Sequence, residues 1–380
     1  MANIDAQTMR SLNSRWRRVL WRSYLFLTIL ACIPVLLIQL ILWTSLTGLF
    51  AYFIIIKAWP LAFITGLIMV GALAITKLTE IKPYRPKGIL LTPQSAPQLF
   101  CQIDQMSERL LVPRIHHICL QLDSNAGITL RLSWHPLPTL EPELTVGLLT
   151  CYALSISQFN AVIAHELGHL QNKDAQFMII LSQTLNRLDI WTRDSLLFCQ
   201  TSMKRGSLGA FIPVFIISIL HIICKIYLRS LIWVSRAAMR RQEYLADQVA
   251  ARISGKAIFL QSLISLTGIG LCFKDYIPIM LHYINHNHDT HDFYYQFTHH
   301  WESLSATLRQ KYYARAVASF RSVYDTHPSY TDRRIALEEI KGAPEDLGKD
   351  DYPAESLIQS SNEMGRELTV QLYKFWQKQV

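Results

Sequence analysis

Two histidines and a glutamate occur at a spacing that suits metal chemistry. His165, Glu166 and His169 form the pattern H-E-x-x-H inside an apolar segment with helical periodicity. On a helix, residues four apart lie on one face, so both imidazoles can bind one metal ion while Glu166 faces a water on that metal. The alternative, two histidines lining an ordinary amphipathic helix, stays open on this pattern alone. Because buried imidazoles are costly without a metal or hydrogen-bond partners, we predict a zinc site here.

A zinc ion held by two histidines needs a third protein ligand, which leaves the fourth position to water. Glu243 and Asp247 are four residues apart in a helical segment, so they share one face of it. We expect Glu243 to be the third ligand and Asp247 to orient a ligand histidine through its ring N–H. Two alternatives remain open. The acidic pair could form salt bridges with Arg240 or Arg241, and Asp174 could be the third ligand, although its spacing from the motif turns it off the ligand face.

Composition and hydropathy predict a membrane protein. The chain has 380 residues, of which 51% are hydrophobic, and its mean hydropathy is +0.18. Residues 1–23 are polar and basic, and residues 24–76 hold two apolar segments, the first about twenty residues long, as a transmembrane helix requires. Because positive charge flanks residues 24–76 on both sides, the positive-inside rule predicts a transmembrane hairpin with both ends in the cytoplasm. Lys57 could lie in the outer turn or extend from within a span.

Charge and cysteine usage narrow the class of partner and the compartment. The formal net charge is +9, but no nucleic-acid-binding motif occurs, and the basic residues cluster beside apolar segments. We therefore expect contact with a membrane surface and none with nucleic acid. The seven cysteines occur singly, without C-x-x-C spacing, which predicts reduced thiols and a cytosol-facing domain.

Residues 83–380 have the composition of a globular domain, and most of their segments predict helices. Helical patterns cover residues 97–111, 157–172, 175–198, 236–254 and 354–378. Shorter segments rich in β-branched residues predict strands at 115–122, 128–132 and 144–149. The expected fold is thus mainly α with a small β-sheet.

Two segments of this domain have no single interpretation. Residues 211–234 are apolar but interrupted by polar residues, so a third span, a surface-lying helix and a buried core helix all remain open. We favour contact with the membrane. Residues 282–300 hold six irregularly spaced histidines, for which we favour a solvated loop over a second metal site.

Three motifs in sequence order resemble those of a known family. They are H-E-L-G-H at His165, E-x-x-x-D at Glu243, and T-H-P-S at His327 with Arg333 six residues later. Over most of its length the chain resembles the membrane-associated zinc metallopeptidases of the HtpX and CAAX prenyl protease type, peptidase family M48. The resemblance implies a zincin-like (gluzincin) metallopeptidase domain, preceded by the transmembrane hairpin, with one zinc ion per chain.

The family's metal-site roles transfer to matching positions of this chain. In the family the two motif histidines and the glutamate of E-x-x-x-D bind zinc, which implies His165, His169 and Glu243 as ligands. The motif glutamate is the general base, which implies the same role for Glu166.

The resemblance also implies a substrate cleft. The family's asparagine–alanine strand, which pairs with extended substrate, falls on Asn125 and Ala126. Its later histidine and arginine, which support the transition state or the cleft, fall on His327 and Arg333. The chain departs from the family at Gly127 and in a proline-rich connection further along. Both departures concern the substrate edge and not the metal ligands.

The expected function is that of a membrane-bound zinc endopeptidase at the cytoplasmic side of a bacterial inner membrane. A zinc-activated water would hydrolyse the peptide bond, with Glu166 as base and His327 as a donor to the developing charge. Expected partners are the lipid bilayer and protein or peptide substrates, with misfolded and membrane proteins as candidates. Two alternatives are a chaperone-like or binding protein with a structural zinc and a zinc hydrolase acting on non-peptide substrates. A structural site would need four protein ligands, and only three are found.

Overall fold

The computed structural model describes residues 14–79, 88–134, 138–172, 174–204, 211–287, 293–318, 328–338 and 352–377. The chain divides into two compact units. The first, which we call the motif unit, consists of Arg85–Ala175 and Met239–Val380 and contains the H-E-x-x-H segment. The second, the helical unit, consists of Ser14–Tyr84 and Gln176–Ala238.

The described residues are mainly helical, with one four-stranded sheet. In chain order the elements are α1 (Ser14–Ile55), α2 (Trp59–Thr79), β1 (Ile89–Leu91), α3 (Pro97–Leu110), β2 (His117–Gln121), β3 (Ala126–Trp134), β4 (Pro138–Gly147), α4 (Leu148–Ala153), α5 (Ile156–Gln171), α6 (Asp174–Lys204), α7 (Phe211–Ser254), α8 (Lys256–Asn287), α9 (Phe293–Ser303), α10 (Ala306–Ala318), α11 (Tyr330–Leu337), a short 3₁₀ helix (Ala354–Leu357) and α12 (Ser361–Gln377). The prediction of a mainly α fold with a small sheet is confirmed.

The N-terminal segment forms a helical hairpin whose turn lies later than the predicted end of the first apolar segment. Helix α1 continues to Ile55 because residues 44–55 are uncharged and contain no proline to end it. Lys57 lies in the turn between α1 and α2 with φ 56°, in the left-handed region. The position left open for Lys57 is therefore the turn between the helices.

The helical unit exposes apolar side chains and keeps polar contacts between its helices. Phe26 is 64% exposed and Phe63 is 68% exposed. Between helices, the Tyr227 hydroxyl donates to the Ala31 carbonyl, and His221 Nδ1 lies 2.9 Å from Ser195 Oγ. An apolar exterior with internally satisfied polar groups is typical of helices packed in lipid.

Two described helices are long and apolar enough to cross a membrane, judged by length and composition: Ile212–Ser254 and Lys256–Met280. The apolar segments Trp43–Ile55 and Trp59–Val70 of the N-terminal hairpin are shorter. The segment within α8 packs against α5 and α10 in the motif unit. We therefore interpret α8 as a core helix of that unit.

The division into units differs from the predicted domain bounds of 24–76 and 83–380. Residues 176–238, which were expected to belong to the globular domain, group with α1 and α2. The apolar segment 211–234 is part of a helix that continues to Ser254. Many of its side chains are exposed and apolar, so they cannot form the core of a water-soluble domain.

The sheet of the motif unit has the order β1-β2-β4-β3. Strands β2 and β4 are parallel, and the other two pairings are antiparallel. Two features differ from prediction: β1 was not expected, and β4 begins at Pro138, within the proline-rich connection. Prolines can occupy this position because β2 pairs with β4 only from Glu143 to Gly147, so residues 138–142 pair with β3 alone among the described strands and form an edge on their other side. Residues Leu148 and Leu149 begin α4 and do not continue the strand.

The core of the motif unit lies between the sheet and the helices that carry the motifs. One face of β2 and β4 buries Ile118, Leu120, Leu144 and Val146. These side chains belong to one cluster with the buried side of α5, including Phe159 and Ile163. From His117 to Leu120 the residues of β2 alternate between half-buried and buried, as in a sheet with one covered face. The covered face of the sheet therefore supports the helix that bears H-E-x-x-H.

The C-terminal segment crosses the beginning of α5. Residue Ser155 forms an isolated bridge with Pro353, and the Ile156 N–H donates to the Tyr352 carbonyl at 3.1 Å. The predicted C-terminal helix is replaced here by the short 3₁₀ helix, and α12 begins only at Ser361. This backbone pairing satisfies a donor at the start of α5 that the helix itself leaves unpaired.

Candidate metal centre

Helix α5 begins with a strong local signal. Ser155 is its N-cap. The Ser155 hydroxyl accepts a hydrogen bond from the Gln158 N–H, and the Gln158 side chain accepts one from the Ser155 N–H, so the two residues form a capping box. The helix then buries Phe159 and Ile163 in the core. This anchoring fixes the rotation of α5, so His165 and His169 project from the same side one turn apart.

Gly168 explains how the second ligand helix comes close. A methyl group at this position would lie 3.1 Å from the Cα of Ala246 and 3.1 Å from the Cβ of Val249 on α7. Those contacts are too close for most side chains, so the glycine of H-E-L-G-H is what permits the approach of α7. Helix α7 thereby places Glu243 beside the two histidines.

The three expected ligands meet in the structure. The Nε2 atoms of His165 and His169 are 3.2 Å apart. Of the two Glu243 carboxylate oxygens, Oε2 lies 3.7 Å from Nε2 of His165 and Oε1 lies 3.6 Å from Nε2 of His169. Four-coordinate zinc with bonds of 2.0–2.2 Å separates its ligand atoms by about 3.3–3.6 Å. The donor set of two imidazole nitrogens and a carboxylate therefore fits a tetrahedral zinc ion with one position left open.

A buried ion pair lies behind this ligand set. Asp247 has no exposed side-chain surface, and its carboxylate lies 3.0 Å from Nδ1 of His165. Arg333 donates to the same carboxylate through Nε at 2.8 Å and also through Nη2. Arg333, the cation that pairs with Asp247, thus lies 86 residues after it in the chain, on α11 rather than on the helix that carries Asp247.

These contacts fix the charge state of the ion pair. Burial alone would raise the pKa of the Asp247 carboxyl, but Arg333 and the hydrogen bond with His165 outweigh burial and hold that pKa below its usual range. Burial would likewise lower the pKa of the Arg333 guanidinium, and the carboxylates of Asp247, Glu243 and Glu166 together raise it. An ionised Asp247 accepts the Nδ1 proton of His165, which leaves Nε2 as the unprotonated, metal-binding nitrogen.

The other predicted site residues are placed as follows. Asn125 is exposed directly before β3, and Ala126 is the first residue of that strand, paired with Val146. Strand β3 stands at the end of the strand order. His327 and the side chain of Asp174 lie outside the described residues. Arg333 contacts Asp247 and approaches His165, with Nη2 3.5 Å from Nδ1.

Sequence reasoning missed one residue beside the ligands. Phe259, at the start of α8, is fully buried, and its ring contacts both His165 and Arg333. No motif marks it, and a phenylalanine in an apolar segment is ordinarily core. The loop predicted for residues 282–300 is wrong for the described part: residues 282–287 belong to α8 and residues 293–300 to α9, although His282 and His299 are exposed. Among the residues that the structure describes, His165, His169 and Glu243 are the only three-residue group able to hold a metal ion.

Comparison with known proteins connects this geometry to a family. The family model "Peptidase family M48" matches residues 143–341. The protease HtpX homolog of Thermococcus kodakarensis is 29% identical over 172 residues, which cover 44% of this chain and 55% of that protein. The corresponding protein of Pyrococcus abyssi is 32% identical over 167 residues, which cover 40% and 54% of the two chains. The chain spans about half the length of the curated relatives it matches.

One solved structure, the crystal structure of S. mikatae Ste24p, is similar to this chain with a TM-score of 0.35 and 19% sequence identity. The match covers 82% of this chain and 67% of that one. A score this low carries no structural argument. The family match covers just over half of the chain and includes the ligand set, Asp247 and Arg333. The resemblance found in the sequence motifs is therefore confirmed, and the chain belongs to peptidase family M48.

Proposed function

We propose that this protein is a membrane-bound zinc endopeptidase. One zinc ion per chain is held by His165, His169 and Glu243, and Glu166 is the general base for hydrolysis of a peptide bond. The observation that carries the proposal is the ligand geometry: the two Nε2 atoms are 3.2 Å apart, each has a Glu243 carboxylate oxygen within 3.7 Å, and one ligand atom from each residue lies within 4.8 Å of the others. Membership of a peptidase family supports the same conclusion.

The ligand set is suited to catalysis rather than to a purely structural role. Three protein ligands leave one coordination position free, whereas structural zinc sites have four. When bound, zinc supplies a Lewis acid that lowers the pKa of a water molecule and polarises a carbonyl oxygen. His165 is held in one tautomer by Asp247, so its Nε2 lone pair is directed at the metal position.

Glu166 is the candidate general base because of its place on α5. It follows the first ligand directly and is half-buried, and its carboxylate is close enough to Arg333 to raise the pKa of that guanidinium. In this role it accepts a proton from the attacking water and delivers the proton to the leaving amine.

The edge of the sheet offers a surface for substrate. Strand β3 is the outermost strand in the described sheet, and α5 packs against it. An extended peptide could add to such an edge through main-chain hydrogen bonds, which bind many sequences with little side-chain selection. We propose that this occurs beside Asn125 and Ala126, with protein or peptide substrates that include misfolded and membrane proteins.

The two predicted cleft residues receive different assignments. We propose that Arg333 positions Asp247 and His165, because its guanidinium is engaged by the Asp247 carboxylate and its side chain is only 12% exposed. A side chain so occupied is poorly placed to bind substrate. A role for His327 as a donor to the developing oxyanion stays a prediction from the resemblance.

The helical unit supports membrane attachment. Its exposed apolar side chains would be costly in water, and basic residues flank the N-terminal hairpin on both sides. We propose that the hairpin of residues 24–76 spans the bilayer, that residues 211–234 contact it, and that the peptidase acts on the cytoplasmic side of a bacterial inner membrane. No nucleic-acid partner is proposed.

The test is Glu166→Gln in the full-length, detergent-purified protein. We expect the variant to bind zinc as the unmodified protein does and to lose hydrolysis of casein, since the amide cannot accept a proton. Glu363→Gln, which changes an exposed glutamate on α12, is the matched control and should retain activity. An active, zinc-loaded Glu166→Gln variant would refute the base assignment. Absence of any chelator-sensitive cleavage by the unmodified protein would favour the chaperone-like or binding function instead.

A further inference from the structure

Phe259 contacts two members of the metal centre at once. The rings of Phe259 and His165 are stacked, with centroids 5.8 Å apart and planes 20° from parallel. The guanidinium carbon of Arg333 lies 5.5 Å from the centre of the same ring. One aromatic ring therefore touches a zinc-ligand imidazole and the cation that holds Asp247.

The chain reaches this position by a turn between two helices. Helix α7, which carries Glu243 and Asp247, ends at Ser254, and Gly255 follows with φ 85°. This left-handed conformation suits glycine and strains other residues. The Phe259 N–H then donates to the Gly255 carbonyl at 3.1 Å, in the first turn of α8. The turn thus reverses the direction of the chain, which places Phe259 against His165 and Arg333.

The flat contact restricts the orientation of His165. The His165 imidazole must place Nδ1 at Asp247 and Nε2 at the metal position at the same time. Only one orientation of the ring plane meets both requirements. Offset stacking on Phe259 favours a plane nearly parallel to the aromatic ring. The cation–π contact favours an Arg333 position over the same ring. An aliphatic side chain could fill the volume but would have no face that selects a plane.

We propose that Phe259 is a positioning residue of the zinc centre, which holds His165 and the Asp247–Arg333 pair in the geometry that binds the metal. Phe259 is not itself a ligand, because a phenyl ring has no metal-binding atom. It acts through His165, in the way that residues supporting a metal ligand raise affinity by preorganising it. This inference rests on the proposed zinc-dependent function.

The test compares Phe259→Met with Phe297→Met in the full-length protein. Methionine keeps most of the volume and removes the aromatic face. Phe297 is also fully buried, in an aromatic cluster with Phe273 and Tyr276 in the same unit, so it controls for the general cost of changing a core phenylalanine. Zinc affinity is measured by competition with a chelating dye, and ligand geometry by the visible absorption of the cobalt(II)-loaded protein.

We expect zinc affinity to fall about tenfold in Phe259→Met, the lower end of the effect of changing residues that support metal ligands. The cobalt spectrum should change in this variant and stay the same in Phe297→Met. Equal zinc affinities and equal cobalt spectra in the two variants would overturn the inference. If Phe259→Met does not fold, the comparison is made with Phe259→Leu and Phe297→Leu. An unmodified protein that binds no zinc would overturn the proposed zinc centre and this inference with it.

Discussion

The buried pair of Asp247 and Arg333 offers a sharp test of how the metal centre is supported. Replacing Asp247 with asparagine keeps the shape of the side chain and removes its charge. The guanidinium of Arg333 then remains in a site where its side chain is only 12% exposed, without its principal counter-ion. Removing one partner of a buried ion pair costs about 3–5 kcal/mol. Because Glu243 Oε2 lies 4.0 Å from Arg333 Nη2 and compensates in part, we expect a cost of about 3 kcal/mol.

The size of the coupling is measured by a double-mutant cycle. Arg333→Met alone should also destabilise the site, because it leaves the Asp247 carboxylate buried without its cation. In the double variant neither charge remains, so the combined loss should be about 2–3 kcal/mol smaller than the sum of the single losses. We measure the free energy of local opening of α5 and of residues 239–254 by amide hydrogen exchange of the metal-free protein. This local measure is appropriate because a two-unit membrane protein does not unfold in one step.

Metal affinity provides the second measurement in this experiment. Asp247→Asn should weaken zinc binding by about 10–100-fold, since His165 loses the charged acceptor for its Nδ1 proton. The control is Asp275→Asn, which removes the partner of Arg315 from an exposed ion pair in the same unit and should change neither quantity. The reasoning is refuted if the effects of Asp247→Asn and Arg333→Met add to within about 0.5 kcal/mol.

Two further substitutions test the elements that position the ligands. Gly168→Ala would place a methyl group 3.1 Å from the backbone of α7, so we expect weaker zinc binding and a loss of about 1–3 kcal/mol in stability. The control is Gly127→Ala, where a methyl group meets nothing within 4 Å, and it should leave zinc affinity unchanged. Equal zinc affinities in these two variants would contradict the close-approach argument. Ser155→Ala removes the N-cap of α5 and should cost about 1 kcal/mol, seen as faster amide exchange in its first turn, while Ser155→Gly should cost only a few tenths. Unchanged exchange in Ser155→Ala would show that the pairing with Pro353 alone holds the start of the helix.

Much of the candidate site could be predicted because its signals are local. The spacing of His165 and His169 places two imidazoles on one helical face whatever the rest of the fold does. The same argument applies to Glu243 and Asp247. Helix α5 has its own start signal in Ser155 and Gln158, and its predicted extent, 157–172, differs little from Ile156–Gln171. The apolar segments within residues 24–76 and 211–234 are helical in the structure, and their membrane contact stays a prediction from segment length.

Elements stabilised by distant partners were predicted poorly. Strand β1 has only three residues and forms because Leu90 pairs with Cys119. Strand β4 begins in a proline-rich segment that local propensity does not favour, and its pairing with β3 overrides that propensity. The grouping of residues 176–238 with the N-terminal hairpin is likewise a matter of which apolar faces meet, and sequence order does not reveal it.

The sequence by itself predicted the chemistry of the centre: two histidines and a third acidic ligand for a metal ion, the proposed general base Glu166 and apolar segments for a membrane. Only the tertiary structure decided that Asp247 pairs with Arg333 of α11 and that the ring of Phe259 stacks on His165. It also decided that Gly168 serves the approach of α7. The physical reason is that a helical period relates residues three or four apart, whereas these contacts join residues about 80 or more positions apart and exist only when the helices have packed.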